Sequence, residues 1–184
     1  MKNHFLAIML FGSLAIFMPG YAGESSGTVI PVSVVPDAVK VTSNEVLLFT
    51  AKAKGVQIYV CQAKKDDPTK YEWVFKAPEA DLFDTQGKKI GHHYAGPTWE
   101  STDGSRVAGA VKAHVPSRDT NAIPWLLVSA KSHEGNGVFS PVTSIQRLET
   151  VGGKAPAGGC TQANVGKELR VPYTAVYYFY GAKS

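Results

Sequence analysis

From residue 45 onward the apolar positions of this chain fall in short runs, rich in β-branched and aromatic residues and closed off by Gly, Pro, Asn or Asp. Within Val56-Gln57-Ile58-Tyr59-Val60-Cys61 the side chains alternate, which places Cys61 on the face opposite Val60. Residues 45–51 and 55–62 read as two strands joined by a hairpin turn at Ala53-Lys54-Gly55. Asp66-Asp67-Pro68 marks the next turn, after which residues 71–76 alternate with Tyr71, Trp73 and Phe75 on one face. Residues 77–83 fit either a short strand or a single helical turn, and residues 84–88 turn the chain into Ile90. Further strands are expected at 106–115, 123–131, 138–139, 142–148 and 169–180, with a Gly-rich loop at 152–159. No window of helical length keeps a 3.6-residue apolar period. The pattern predicts an all-β fold, a sandwich or flattened barrel of about eight to ten mainly antiparallel strands. Its aromatic last strand, VPYTAVYYFY, is expected to be central or closing, because such a run on an exposed edge invites aggregation.

The N-terminus departs from this pattern. Lys2 precedes the uncharged apolar run FLAIMLFGSLAIFM (residues 5–18), then Pro19 and the small residues of Gly20-Tyr21-Ala22. The run is shorter than the roughly 20 apolar residues a membrane span needs. It reads as a signal peptide, residues 1–22, cleaved after Ala22. Residues 23–37 are polar and punctuated by Pro, an extended arm, and residues 38–184 form a single all-β domain. No cysteine follows the apolar run to carry a lipid anchor, and no later segment suits a transmembrane helix. The mature protein is therefore expected in the periplasm or the extracellular medium.

Composition narrows the partners. The formal charge of +4 becomes about +3 without Lys2, and the basic residues are scattered and form no block. A nucleic-acid partner would want them gathered on one face. Both cysteines, Cys61 and Cys160, survive cleavage, and an even pair in an exported chain reads as one disulfide. Closing a loop of about 100 residues is worth roughly 4.7 kcal/mol in the chain-entropy model.

Five ordered motifs span the mature chain: G-V-Q-I-Y-V-C (55–61), W-V-F-K-A-P-E-A (73–80), G-P-T-W with D-G-S (96–105), I-P-W-L-L (123–127) and I-Q-R-L-E-T-V-G-G-K-A-P-A-G-G-C (145–160). Together they resemble an exported bacterial and fungal family catalogued as domain of unknown function 3455. The resemblance carries no established activity. Some fungal members bear a malate dehydrogenase label, but this chain has no G-x-G-x-x-G after a strand and no alternation of strands with helices. Nicotinamide binding is not expected.

The candidate chemistry gathers around Ile90 to Gly109. His92 and His93 are adjacent, so on a strand they face opposite sides and cannot share one ion without a bulge. A copper or zinc site in which one of His92 and His93 meets His114, His133, Asp103 or Glu100 is the alternative reading, although no H-x-H spacing supports it. Ser105 lies in D-G-S-R, a hairpin signal, with no nucleophile elbow. Asp81, Asp84, Glu100 and Asp103 would supply a carboxylate-dependent hydrolase, a third reading. Of the three tryptophans, Trp73 and Trp125 lie in apolar strands and are expected in the core, whereas Trp99 has polar neighbours and is a candidate ligand contact. Arg147 interrupts an apolar strand and would meet either Glu149 or an acidic ligand. The leading reading is a non-catalytic binding or envelope-associated module for a glycan or small ligand. Its expected site is His92, His93, Trp99 and Asp103, with His114 or Arg147, and no cofactor is called for.

Overall fold

A computed structural model describes residues 35–183, so the expected signal peptide and most of the expected arm lie outside the described residues. Eight strands follow: β1 (Glu45–Ala63), β2 (Tyr71–Phe83), β3 (Lys89–Tyr94), β4 (Thr98–Ser101), β5 (Arg106–Val115), β6 (Trp125–Glu134), β7 (Val142–Gly152) and β8 (Glu168–Ala182). Each pairs antiparallel with the next, and β8 closes on β1. Of the two all-β architectures the pattern allowed, the chain adopts the barrel. The aromatic last strand is its closing strand.

Successive inward positions along the strands fill the barrel. One end, where β1 begins and β8 ends, is plugged by aromatic rings. Phe49 stacks on Phe179 with centroids 4.6 Å apart, and Phe139 lies 5.0 Å from Phe179 and 5.6 Å from Phe49. Leu82, Val142 and Ile145 complete this buried cluster. Outside the barrel a second cluster forms where Val39, in a single 3-10 turn at Asp37–Val39, covers Trp125, Leu127 and Leu148. Val35, near the end of the expected arm, packs against the same cluster.

Two local expectations change, and one left open is decided. Residues 45–63 form one continuous strand, with no hairpin at Ala53-Lys54-Gly55. Gly55 is there because β2 approaches closely: a Cβ would sit 2.1 Å from the Glu79 carbonyl oxygen. Residues 77–83 take the strand option and extend β2 past a bulge, where Tyr59 pairs with Phe75 while Ile58 pairs with Ala77. Val138 and Phe139 belong to the turn before β7, from which Phe139 folds into the plug. The D-G-S turn is a hairpin as expected, Gly104 at φ 86° donating to Ser101 and Ser101 donating to Ser105. The Cys61–Cys160 disulfide is formed, with a Cα separation of 5.4 Å. It ties the end of β1 to the loop before β8 and fits an oxidising compartment. None of the described helices is long and apolar enough to cross a membrane.

Candidate ligand-binding site

The other end of the barrel is built differently. The β1–β2, β3–β4, β5–β6 and β7–β8 connections gather there, and β3 and β4 are short. Pairing of β2 with β3 reaches only as far as Ala80 opposite His93, and pairing of β4 with β5 only as far as Thr98 opposite Ala108. The remainder of β2, with Phe75, Lys76 and Pro78, therefore has β1 on one side only. Pro78, which has no N–H to donate, suits such a position. Above the β3–β4 tip at Gly96-Pro97 this leaves a side window, bordered by Phe75 and Val111, each 52% exposed. The window opens on a cavity of about 400 Å³.

Strand alternation decides what faces this space. Gln57 and Tyr59 on β1, His93 on β3, Trp99 on β4, Leu126 and Val128 on β6, Arg147 on β7 and Tyr177 on β8 line it, together with Ile123 and Pro124 before β6. Among the described residues no Asp or Glu lines it. Gly109 on β5 makes room for the indole: a Cβ there would meet Trp99 at 3.4 Å and Val128 at 2.5 Å. Trp99 lies nearly parallel to His93, centroids 4.4 Å apart and planes 13° apart, and Tyr177 meets both edge-on.

Arg147 is the buried charge of this wall, 8% exposed, whereas Lys76 lies at the window. Its Nε and Nη2 donate to the Pro124 carbonyl at 3.2 and 2.9 Å. No carboxylate pairs with it among the described residues. Glu149, the partner suggested by sequence, sits instead at a bulge of β7 with φ 51° and accepts from Tyr178 Oη at 2.8 Å. Regular alternation would put the two side chains on one face, and the bulge is what turns Glu149 away from Arg147.

The titration of the neighbours follows from burial and this cation. Burial pulls the His93 imidazole down to about 3, against a bond that favours its charge and with Arg147 adding repulsion. Nδ1 lies 2.9 Å from the Thr98 carbonyl, which only accepts, so Nδ1 carries the proton of the neutral ring and Nε2 is left as an acceptor. Burial raises the Tyr177 hydroxyl, with the Arg147 charge acting in the opposite sense. Tyr59 donates to the Gly153 carbonyl at 2.6 Å. Gln57 Nε2, Trp99 Nε1, Tyr173 Oη and Tyr177 Oη are buried without a well-formed hydrogen bond, although Gln57, Tyr173 and Tyr177 are neighbours.

Of the residues singled out by sequence, His93, Trp99 and Arg147 come together here. The others do not join them. His92 faces outward, as strand geometry requires, with Nδ1 3.2 Å from Asp81 Oδ1, and Asp81 also holds Lys89 at 2.7 Å. Asp103 pins two turns: it accepts from Ser105 N and Oγ and from Val138 N, bonds that hold its carboxyl down at about 2. His114 is exposed on β5 beside a separate depression, and His133 Nε2 lies 2.7 Å from the Val142 carbonyl oxygen. No three His, Cys, Asp or Glu side chains gather into a metal-sized group among the described residues. Asp84 caps its own turn and Glu100 accepts from Tyr94 Oη at 2.8 Å.

The tryptophan expectation holds for Trp125 and changes for Trp73. Trp99 is 1% exposed, Trp125 lies in the outer cluster, and Trp73 is only partly buried, donating to the Gly158 carbonyl at 3.0 Å. The residues not singled out as site members are Gln57, Tyr59 and Tyr177. Their signal was present, since Gln57 and Tyr59 share the face of Cys61, and Tyr173, Ala175, Tyr177 and Phe179 recur with period 2.

Fold and site together define a closed, eight-stranded antiparallel barrel with a semi-polar chamber at one end, an architecture suited to one small ligand. The chain belongs to the family described as protein of unknown function (DUF3455), whose model matches residues 42–181. No curated protein matches the sequence.

Proposed function

We propose that this protein is a non-catalytic binding protein of the periplasm or extracellular medium that holds a small organic ligand inside its barrel. The observation that carries this reading is the chamber itself: about 400 Å³, open through a side window, walled by aromatics and by a buried arginine with no carboxylate partner among the described residues. Binding pockets are commonly apolar chambers with a few placed polar groups. An enclosed space favours a small molecule over a polymer chain such as a glycan. The absence of Asp and Glu from the lining and a His93 that stays neutral far below pH 7 favour holding a ligand over acid–base chemistry.

Trp99 in the wall makes the test optical. A panel of small organic acids, their amides, neutral apolar molecules and oligosaccharides is titrated against intrinsic fluorescence and melting temperature. The expected result is saturable quenching with a raised melting temperature for some small molecules, weakened by Leu126→Phe, which narrows the chamber. No response across the panel would overturn the proposal. So would stoichiometric copper or zinc in untagged protein, lost on replacing His92 and His93.

A further inference from the structure

We infer that the ligand is a monocarboxylate with a flat or narrow apolar body, its carboxylate held by Arg147 and its body lying along Trp99. This deepens the proposed binding function and rests on it.

The argument starts from an imbalance. A guanidinium stays charged in a protein and has five N–H donors. Arg147 spends Nε and Nη2 on one carbonyl, Pro124 O, which offers a dipole and no charge. That contact occupies the side of the fork next to Nε and leaves the end formed by Nη1 and Nη2. A buried cation without a counter-ion is costly. The surrounding buried atoms bring it no negative charge: Gln57 Nε2 and Trp99 Nε1 are donors without a partner, and Tyr177 Oη, within reach of Arg147 and Tyr173 but without a well-formed hydrogen bond, is neutral. Their side chains are 2%, 1% and 1% exposed, and all three line the chamber. A cation, two idle donors and a phenol, with no acid in the wall among the described residues, ask for an acceptor-rich anion. A carboxylate matches the planar end of the fork with two parallel bonds.

The charge count limits the anion. Lys76, at the window, is engaged by Glu168. That leaves one uncompensated positive charge inside, enough for a carboxylate and short of what a phosphate dianion would call for. The remaining lining, Trp99, Phe75, Leu126 and Val128, is apolar and suits a hydrocarbon or aromatic body.

Isothermal titration calorimetry at neutral pH with matched pairs decides this: decanoate against decanamide, and trans-cinnamate against cinnamamide. At least one acid is expected to bind about tenfold or more tightly than its amide, the scale of a hydrogen bond to a charged group. Arg147→Met should abolish that preference, Arg147→Lys should keep part of it, and Tyr177→Phe should weaken the acid alone. The acid-to-amide ratio in the wild-type protein needs no variant, so a folding defect in Arg147→Met does not remove the test. Equal binding of acid and amide, or binding only of neutral molecules in the wider panel, overturns the carboxylate and leaves the chamber as a binding site. Silence from every small molecule overturns both.

Discussion

The two ends of this barrel share one wall and differ in what they leave unfinished. At the plugged end Phe49, Phe139 and Phe179 fill the space between the strands, and the buried neighbours are Leu82, Val142 and Ile145. At the window end the same inward positions carry Gln57, His93, Arg147 and Tyr177 around an open chamber, with donors that find no acceptor. Stability explains the first arrangement completely. It does not explain the second, because unpartnered buried polar groups cost free energy that a Leu or Phe in the same place would not. The window end is therefore held by other means: the Cys61–Cys160 disulfide, the Tyr59 bond to Gly153 and the Trp73 bond to Gly158.

If that division is right, damage at the two ends has different consequences. The largest loss is expected from Phe179→Ala, which opens a cavity in the plug and costs about 3–5 kcal/mol. Urea unfolding would measure it, and ligand affinity in the surviving folded fraction should change little. Removing both cysteines, Cys61→Ala with Cys160→Ala, is expected to cost about 2–5 kcal/mol. Because the bond braces the window end, hydrogen exchange should rise first in the loop before β8 and leave the Phe179 region protected.

A third expectation concerns pH. The His93 ring titrates at about 3 in the fold against 6.5 as a free group, so the unfolded chain binds the extra proton in between. Its contribution is fully present above pH 6.5 and is lost as pH falls towards 3. The slope approaches about 1.4 kcal/mol per pH unit inside that window. Asp103, held at about 2, acts only below its ordinary 3.8, and Glu45 and Glu168, lowered from 4.5, act near and below that value, so the histidine is read from urea midpoints taken between about pH 5.5 and 6.5. His93→Gln should flatten the dependence. The smallest effect is Tyr177→Phe, which removes a hydroxyl without a well-formed hydrogen bond: a change in stability within about 0.5 kcal/mol, or a slight gain, by thermal melt.

Much of the wall was legible beforehand because strands announce themselves locally. Alternation and turn residues located the hairpin at Asp103-Gly104 and the start of β5, and placed His92 and His93 on opposite sides. What the local pattern could not convey was closeness between distant strands. Gly55 looks like a turn residue and is a contact with β2, which only the barrel's register reveals. The polar Thr98 and Glu100 left the exposure of Trp99 open, yet neighbours along a strand face the other way, and Trp99 is buried against His93. Arg147 stood out as a charge in an apolar run. That it has no carboxylate partner depends on which residues β1, β6 and β8 turn towards it, and on the bulge that carries Glu149 away.

Arg147 also offers the most direct trial of the whole account, through the stability of ligand-free Arg147→Met against the parent protein by urea unfolding. A residue kept for a ligand, and paid for by the fold, should be replaceable at no loss or at a gain, because the variant buries methylene and sulfur where an uncompensated charge stood. The predicted result is a midpoint equal to or above that of the parent. A loss of about 3 kcal/mol or more, the scale of breaking a buried ion pair, would make Arg147 a strut of the barrel and contradict the account.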